Sequence, residues 1–196
     1  MFEILNTIGL ISFAFSGAVK GITKKLDFFG ISVVGISTAL GGGVLRDLLV
    51  NRLPLMFIHP SNIIFSFLGI LLAIAIRSNI TKFIEKTFLV SDTIGLASFT
   101  ASGCIVGWEN SIGPVGIVLL GLLTAIGGGI IRDILTGEVP LILRKEFYAT
   151  CSIIGGVSFY FLALCFPLFF SSMICVFIVF ILRTLALKFN WHLPHF

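Results

Sequence analysis

From Phe147 to Leu182 the chain runs 36 residues without a charged side chain. A single α-helix of that length would extend about 54 Å at 1.5 Å per residue, against a hydrocarbon core about 30 Å thick. Two helices joined by a tight turn fit instead, with Pro167 suited to the first turn of the second. The rest of the chain is of the same kind. Charged residues make up 11% of the 196 and hydrophobic ones 57%, where a soluble domain carries about 25% charge. With a mean hydropathy of +1.14, the chain cannot cover a water-facing surface and reads as a multi-span membrane protein.

Seven spans are expected, at about Ile4–Val19, Phe28–Val50, Ser61–Ile76, Phe88–Val106, Ile112–Leu135, Phe147–Cys165 and Pro167–Leu182. The opening MFEILN lacks the basic stretch of a signal peptide, so the first segment reads as a spanning helix. With the N-terminus outside, the inner side receives Lys20, Lys24, Lys25, Arg77, Lys82, Lys86, Arg144, Lys145, Arg183 and Lys188, and Arg52 alone falls in an outer loop. That bias predicts N-terminus out and C-terminus in. The sequence pI near 9.0 reflects this loop charge and does not point to nucleic acid. Cys104, Cys151, Cys165 and Cys175 all lie in apolar segments without a CxxC, as small packing residues do.

The segment Thr7–Leu55 repeats as Thr93–Leu141 at a constant offset of 86, without a gap and with 22 identities in 49 pairs. Glycines, charges and Pro54/Pro140 all align, which shared hydrophobicity alone does not produce. Each half holds three spans. An odd number inserts the second half in the opposite sense, an arrangement typical of proteins that carry solutes or ions at the repeat interface. The expected division is residues 1–86, residues 87–166, and a seventh helix with its tail at 167–196. The fold class is all-α integral membrane.

The second and fifth spans carry Gly41-Gly42-Gly43 followed by Arg46-Asp47, and Gly127-Gly128-Gly129 followed by Arg132-Asp133. Three interior glycines cost a helix roughly 1 kcal/mol each. A bilayer tolerates a loosened helix where freed carbonyls find partners or line a wet cavity. The expectation is therefore a kink at each triplet, beside a pathway. The alternative is that the glycines only let helices approach closely, as expected for Gly17/Gly21 and Gly103/Gly107. Neighbouring helical residues point about 100° apart. The arginines are thus expected to pair across the repeat, Arg46 with Asp133 and Arg132 with Asp47, or to capture carbonyls released by the glycines. Unpaired charges at that depth are expensive.

Other chemistry finds no pattern. The triplets lack the Lys-Ser/Thr of a phosphate loop, and His59, His192 and His195 form no metal-ligand cluster. No catalytic residues, cofactor or structural metal are expected, and the chain does not read as an enzyme.

GGGVLRD at 41–47 and GGGIIRD at 127–133, in a seven-span chain of about 200 residues, resemble the prokaryotic TRIC family, relatives of the trimeric intracellular cation channels. The same repeated domain is also known as a glycine transporter domain. The resemblance implies a homotrimer in the inner (plasma) membrane, with a pore in each subunit and kinks at the two triplets. It implies potassium or sodium as the permeant ion, potassium chiefly. Partners are then the lipid bilayer and other copies of the chain, with no nucleic acid and no other protein. Animal members carry a gating lysine in the fourth helix, where Phe88–Val106 has none. Oxygens that would line such a path are those of Ser12, Ser16, Ser37, Thr38, Ser98, Ser102 and Thr124, with carbonyls at the triplets. Asp47 and Asp133 must offset the arginines, which by themselves repel a cation. A secondary transporter of a small amino acid such as glycine uses the same architecture, and an assembly protein without flux is a third possibility.

Overall fold

The computed structural model describes residues 1–144, 147–189 and 191, without the side chains of 77–83 and 144. Arg77, Lys82, Arg144, Lys145, His192 and His195 therefore lie outside the described residues or side chains. Nine helices occur among the described residues: α1 Phe2–Thr23, α2 Phe28–Leu49, α3 Leu55–Ile58, α4 Ser61–Ala75, α5 Arg77–Glu109, α6 Pro114–Leu135, α7 Leu141–Arg144, α8 Phe147–Cys165 and α9 Leu168–Phe189. Six stretches, α1, α2, residues 84–109 of α5, α6, α8 and α9, are long and apolar enough to cross a bilayer. The third expected span, α4, is a 15-residue apolar helix, about 22 Å long. The 36-residue run divides as expected, with α8 ending at Cys165 and α9 starting one residue after Pro167. Helix α5 begins earlier than expected, at Arg77, and runs through the division placed at residue 86.

The offset of 86 governs the secondary structure. Helices α2 and α6 begin and end on equivalent residues, as do the short helices α3 and α7. The C-terminal corners match too. Lys25 and Ser111 both take positive φ, and so do Asn51 and Gly137. Such a left-handed residue lets the chain reverse after a helix by folding amides back on its last carbonyls. Arg52 N accordingly bonds Asp47 O and Glu138 N bonds Asp133 O.

The core forms where the halves meet. Phe13 of α1 and its equivalent Phe99 of α5 pack edge to face at 5.1 Å. Gly9 and Gly95 make room for these rings, since an added Cβ at Gly9 would lie 2.6 Å from Phe99 and one at Gly95 would strike Phe13. Gly17 and Gly21 pack on the backbone of α2, and Gly103 and Gly107 on that of α6, so the two GxxxG pairs are close helix contacts.

Neither glycine triplet interrupts its helix. α2 and α6 are helical throughout, so Gly41, Gly42 and Gly43 and Gly127, Gly128 and Gly129 lie within unbroken helix, and the close helix approach weighed as the alternative to a kink is present. The reason is packing. A Cβ on Gly42 would run into the Thr124 carbonyl, and one on Gly128 into the Thr38 carbonyl. Only glycine lets α2 and α6 cross this closely.

Candidate functional site

The two Arg-Asp pairs organise two buried clusters. Arg46 lies near Phe2 at the start of α1, its guanidinium 5.0 Å from the ring centre. Arg132 lies near Ser16 of the same helix. Those positions stand about 20 Å apart along α1 at 1.5 Å per residue. The inversion has put the clusters at opposite ends of the bundle. Cross-repeat pairing of Arg46 with Asp133, or of Arg132 with Asp47, is therefore ruled out, and the expectation is corrected.

Each arginine instead pairs with its sequence neighbour. Arg46 Nε donates to Asp47 Oδ1 at 2.9 Å and Arg132 Nε to Asp133 Oδ1 at 2.8 Å. The 100° between neighbours is bridged because each aspartate is held by the next helix. Asp47 Oδ2 accepts from Leu55 N at 2.9 Å and Asp133 Oδ2 from Leu141 N at 2.8 Å, the first residues of α3 and α7. Fixed by that amide, the carboxylate presents its other oxygen to the long arginine arm. All four side chains are at most 2% exposed, so each charge depends on its partners.

Beyond this shared plan the clusters differ. Arg132 Nη1 also donates to Asp92 Oδ1 at 2.6 Å and to Ser16 Oγ at 3.2 Å. Phe88 stacks on it at 4.6 Å. Tyr148 closes the site and carries Arg183 of α9 at 4.7 Å over its ring. No water-sized space remains among Arg132, Asp133 and Tyr148, although Arg132 Nη2, Asp92 Oδ2 and the Tyr148 hydroxyl are buried without a hydrogen-bond partner among the described residues. Arg183, expected among the loop charges, is 2% exposed inside α9, a correction to its place in the orientation count. In the first half, Asn6 stands at the position equivalent to Asp92, and Asn62 at that of Tyr148. The two asparagines bond each other at 3.3 Å. A void of about 20 Å³ remains among Asn6, Arg46, Asp47, Leu55 and Phe99. It adjoins a cavity of about 750 Å³ that shares Asn6 and Leu55 and is lined by Thr7, Arg52, His59 and Asn62, with Glu3 and Glu109 exposed.

The hydroxyl candidates fall into groups. Ser16, Thr38, Ser102 and Thr124 are buried and donate to carbonyls of their own helices. Ser98 is buried, Ser37 half-buried, and Ser12 lies in a groove between α1 and α5 with Lys86. Three cysteines pack in the interior as expected, while Cys165 is exposed. At the Arg132 end, Glu138 bridges Lys20 at 2.7 Å and Lys24 at 3.0 Å. Partial burial works to raise the Glu138 carboxyl, but hydrogen bonds from both lysines bring it below its ordinary range.

Asn6, Asn62, Asp92, Tyr148 and Arg183 were not singled out by sequence. The signal for Asp92 was available, as a charge where the equivalent residue of the other half is a neutral amide. Arg183 had no equivalent and lay at the end of an apolar run, where loop charge is the ordinary assumption.

The family described as glycine transporter matches twice, at residues 3–78 and 89–164. The UPF0126 inner membrane protein YadS of Escherichia coli strain K12 is 33% identical over 98% of this chain and 94% of its own. A structure solved to explain conductance through TRIC cation channels superposes with a TM-score of 0.89 at 39% identity, covering 100% of this chain and 97% of that one. A prokaryotic TRIC channel crystallised in 0.5 M KCl superposes with a TM-score of 0.91 at 31% identity over 98% of both chains.

Proposed function

The chain belongs to the TRIC family of multi-pass inner-membrane proteins, and we propose that it conducts monovalent cations, chiefly potassium, between its two inverted repeats. One observation carries this: a cavity of about 750 Å³, lined by α1, α3 and α4 with Glu109 of α5, opens at one end and adjoins a small void at Asn6 and Arg46, while no water-sized space remains at the equivalent place at the other end. A path wide at one mouth and shut at the other is a closed channel. Glu3 and Glu109, exposed beside the wide mouth, concentrate cations there. Asp92 and Asp133 balance Arg132 and Arg183 within the bundle, whereas Asp47 offsets only part of the charge of Arg46 and Arg52.

Each subunit holds its own path, and three subunits assemble through the apolar faces that the single chain leaves exposed, such as Val115, Leu119 and Leu123 on α6. The lysine-bearing end, with Lys20, Lys24 and Glu138, faces the cytoplasm, which puts the large cavity outside. The test is the purified protein in a planar bilayer under a potassium gradient. Unitary currents of many ions per opening are expected. Saturable glycine exchange without unitary current would replace the channel with a carrier.

A further inference from the structure

The two clusters carry unequal charge. Around Arg132 the buried charges are Arg132 and Arg183 against Asp92 and Asp133, two of each sign. Around Arg46 they are Arg46 and the partly buried Arg52 against Asp47 alone. Both Asp47 oxygens are already engaged, by the two arginines and Leu55 N. Arg46 Nη1 is buried with no hydrogen-bond partner among the described residues. The equivalent atom, Arg132 Nη1, holds the carboxylate of Asp92. A buried guanidinium nitrogen without an acceptor is costly, and a carboxylate is its strongest partner.

We propose that Arg46 and Asn6 form a binding site for a small carboxylate, whose head takes beside Arg46 Nη1 the place that Asp92 takes beside Arg132 Nη1. The second repeat supplies the template for this contact within the same chain. Asn6 adds no negative charge, so this position supplies no second anion beside Asp47 to compete with an incoming one. The void of about 20 Å³ that Arg46 and Asn6 line holds about one water, so it admits one oxygen of an entering carboxylate. The body of the ligand stays in the adjoining cavity of about 750 Å³. Glu3 and Glu109 oppose an entering carboxylate at the mouth as they attract cations there, but neither lines the void at Arg46. Bound there, the carboxylate removes the uncompensated positive charge from the narrow end of the cavity. Its concentration then regulates passage of a cation, a consequence that rests on the conduction proposed above, whereas the binding does not.

The test is thermal unfolding of the purified full-length protein in detergent at fixed pH and ionic strength, titrated with sodium formate against sodium chloride. Formate is expected to raise the melting temperature saturably, and chloride is not. Asn6→Asp places a carboxylate of the chain itself beside Arg46, as in the second repeat. It is expected to melt no lower than the parent and to need at least about tenfold more formate for the same rise, the ratio equivalent to 1.4 kcal/mol. The proposal is overturned if formate gives no saturable rise, if chloride acts equally, or if Asn6→Asp leaves the formate response unchanged. No current is measured, so its failure and the failure of cation conduction are separate results.

Discussion

In the first half of the molecule, Arg46 faces an asparagine pair across a small void. In the second half, Arg132 faces Asp92 and Tyr148 with no space left. Both arginines hold the adjacent aspartate, stack on an equivalent phenylalanine, and end a helix that crosses its partner on glycine. Two substitutions at equivalent positions, Asn6 against Asp92 and Asn62 against Tyr148, separate an accessible end from a sealed one. The shared features hold the backbone, and the unshared ones decide which mouth is closed. Divergence at these two positions makes the two ends of an inverted-repeat protein unequal while α2 and α6 keep equivalent bounds.

The comparison predicts how far each cluster depends on its neighbouring aspartate. Asp47→Asn removes the only carboxylate on Arg46 among the described residues and is expected to cost about 3–5 kcal/mol, as breaking a buried ion pair does. Asp133→Asn leaves Arg132 with Asp92 and is expected to cost only about 1–2 kcal/mol. Denaturation of the two variants side by side measures the gap, and equal losses would mean that Asp92 does not share the load.

The glycine crossing should respond alike in both halves. Gly42→Ala and Gly128→Ala each drive a methyl into a carbonyl of the facing helix. Each is expected to cost about 3 kcal/mol, the upper range for overpacking, read as a lower melting temperature and loss of assembly in gel filtration. A marked difference between them would break the symmetry of the crossing.

Copying the open end onto the closed one is the functional counterpart. Asp92→Asn with Tyr148→Asn removes the plug and keeps the pairing of Arg132 with Asp133. Single-channel recording is expected to show a severalfold higher open probability than the parent. A stability loss of about 1–3 kcal/mol accompanies it, from the buried acceptor removed. An unchanged open probability would place the gate elsewhere.

The smallest effect concerns Glu138. Its carboxyl is held below its usual range in the folded protein. The bridges to Lys20 and Lys24 therefore add stability above the ordinary glutamate range and lose it as the pH falls through the depressed value. The groups are partly exposed, so the gain is below about 1 kcal/mol. Glu138→Gln should abolish this acid dependence in melting curves taken from neutral pH downward.

Membrane character, the number of spanning stretches within one, the split at Pro167 and the 86-residue repeat were all legible in the sequence. They rest on one-dimensional quantities: length of apolar run, spacing of charge, identity at a fixed offset. The glycine triplets and Arg-Asp pairs were legible as important but not in their use. Kinking and close approach call for the same residue, and only the facing Thr38 and Thr124 carbonyls show the close approach.

The partners of Arg46 and Arg132 likewise lay beyond the sequence. Pairing depends on which end of the bundle each side chain occupies, and inversion separates residues that the alignment sets side by side. Hydrophobic patterning fixes that a segment crosses the bilayer, because the cost of exposing its backbone is set residue by residue. Which groups then meet in the interior is set by helix crossing, and there the tertiary structure alone brought Asp92, Tyr148 and Arg183 to one arginine and left the other facing an amide.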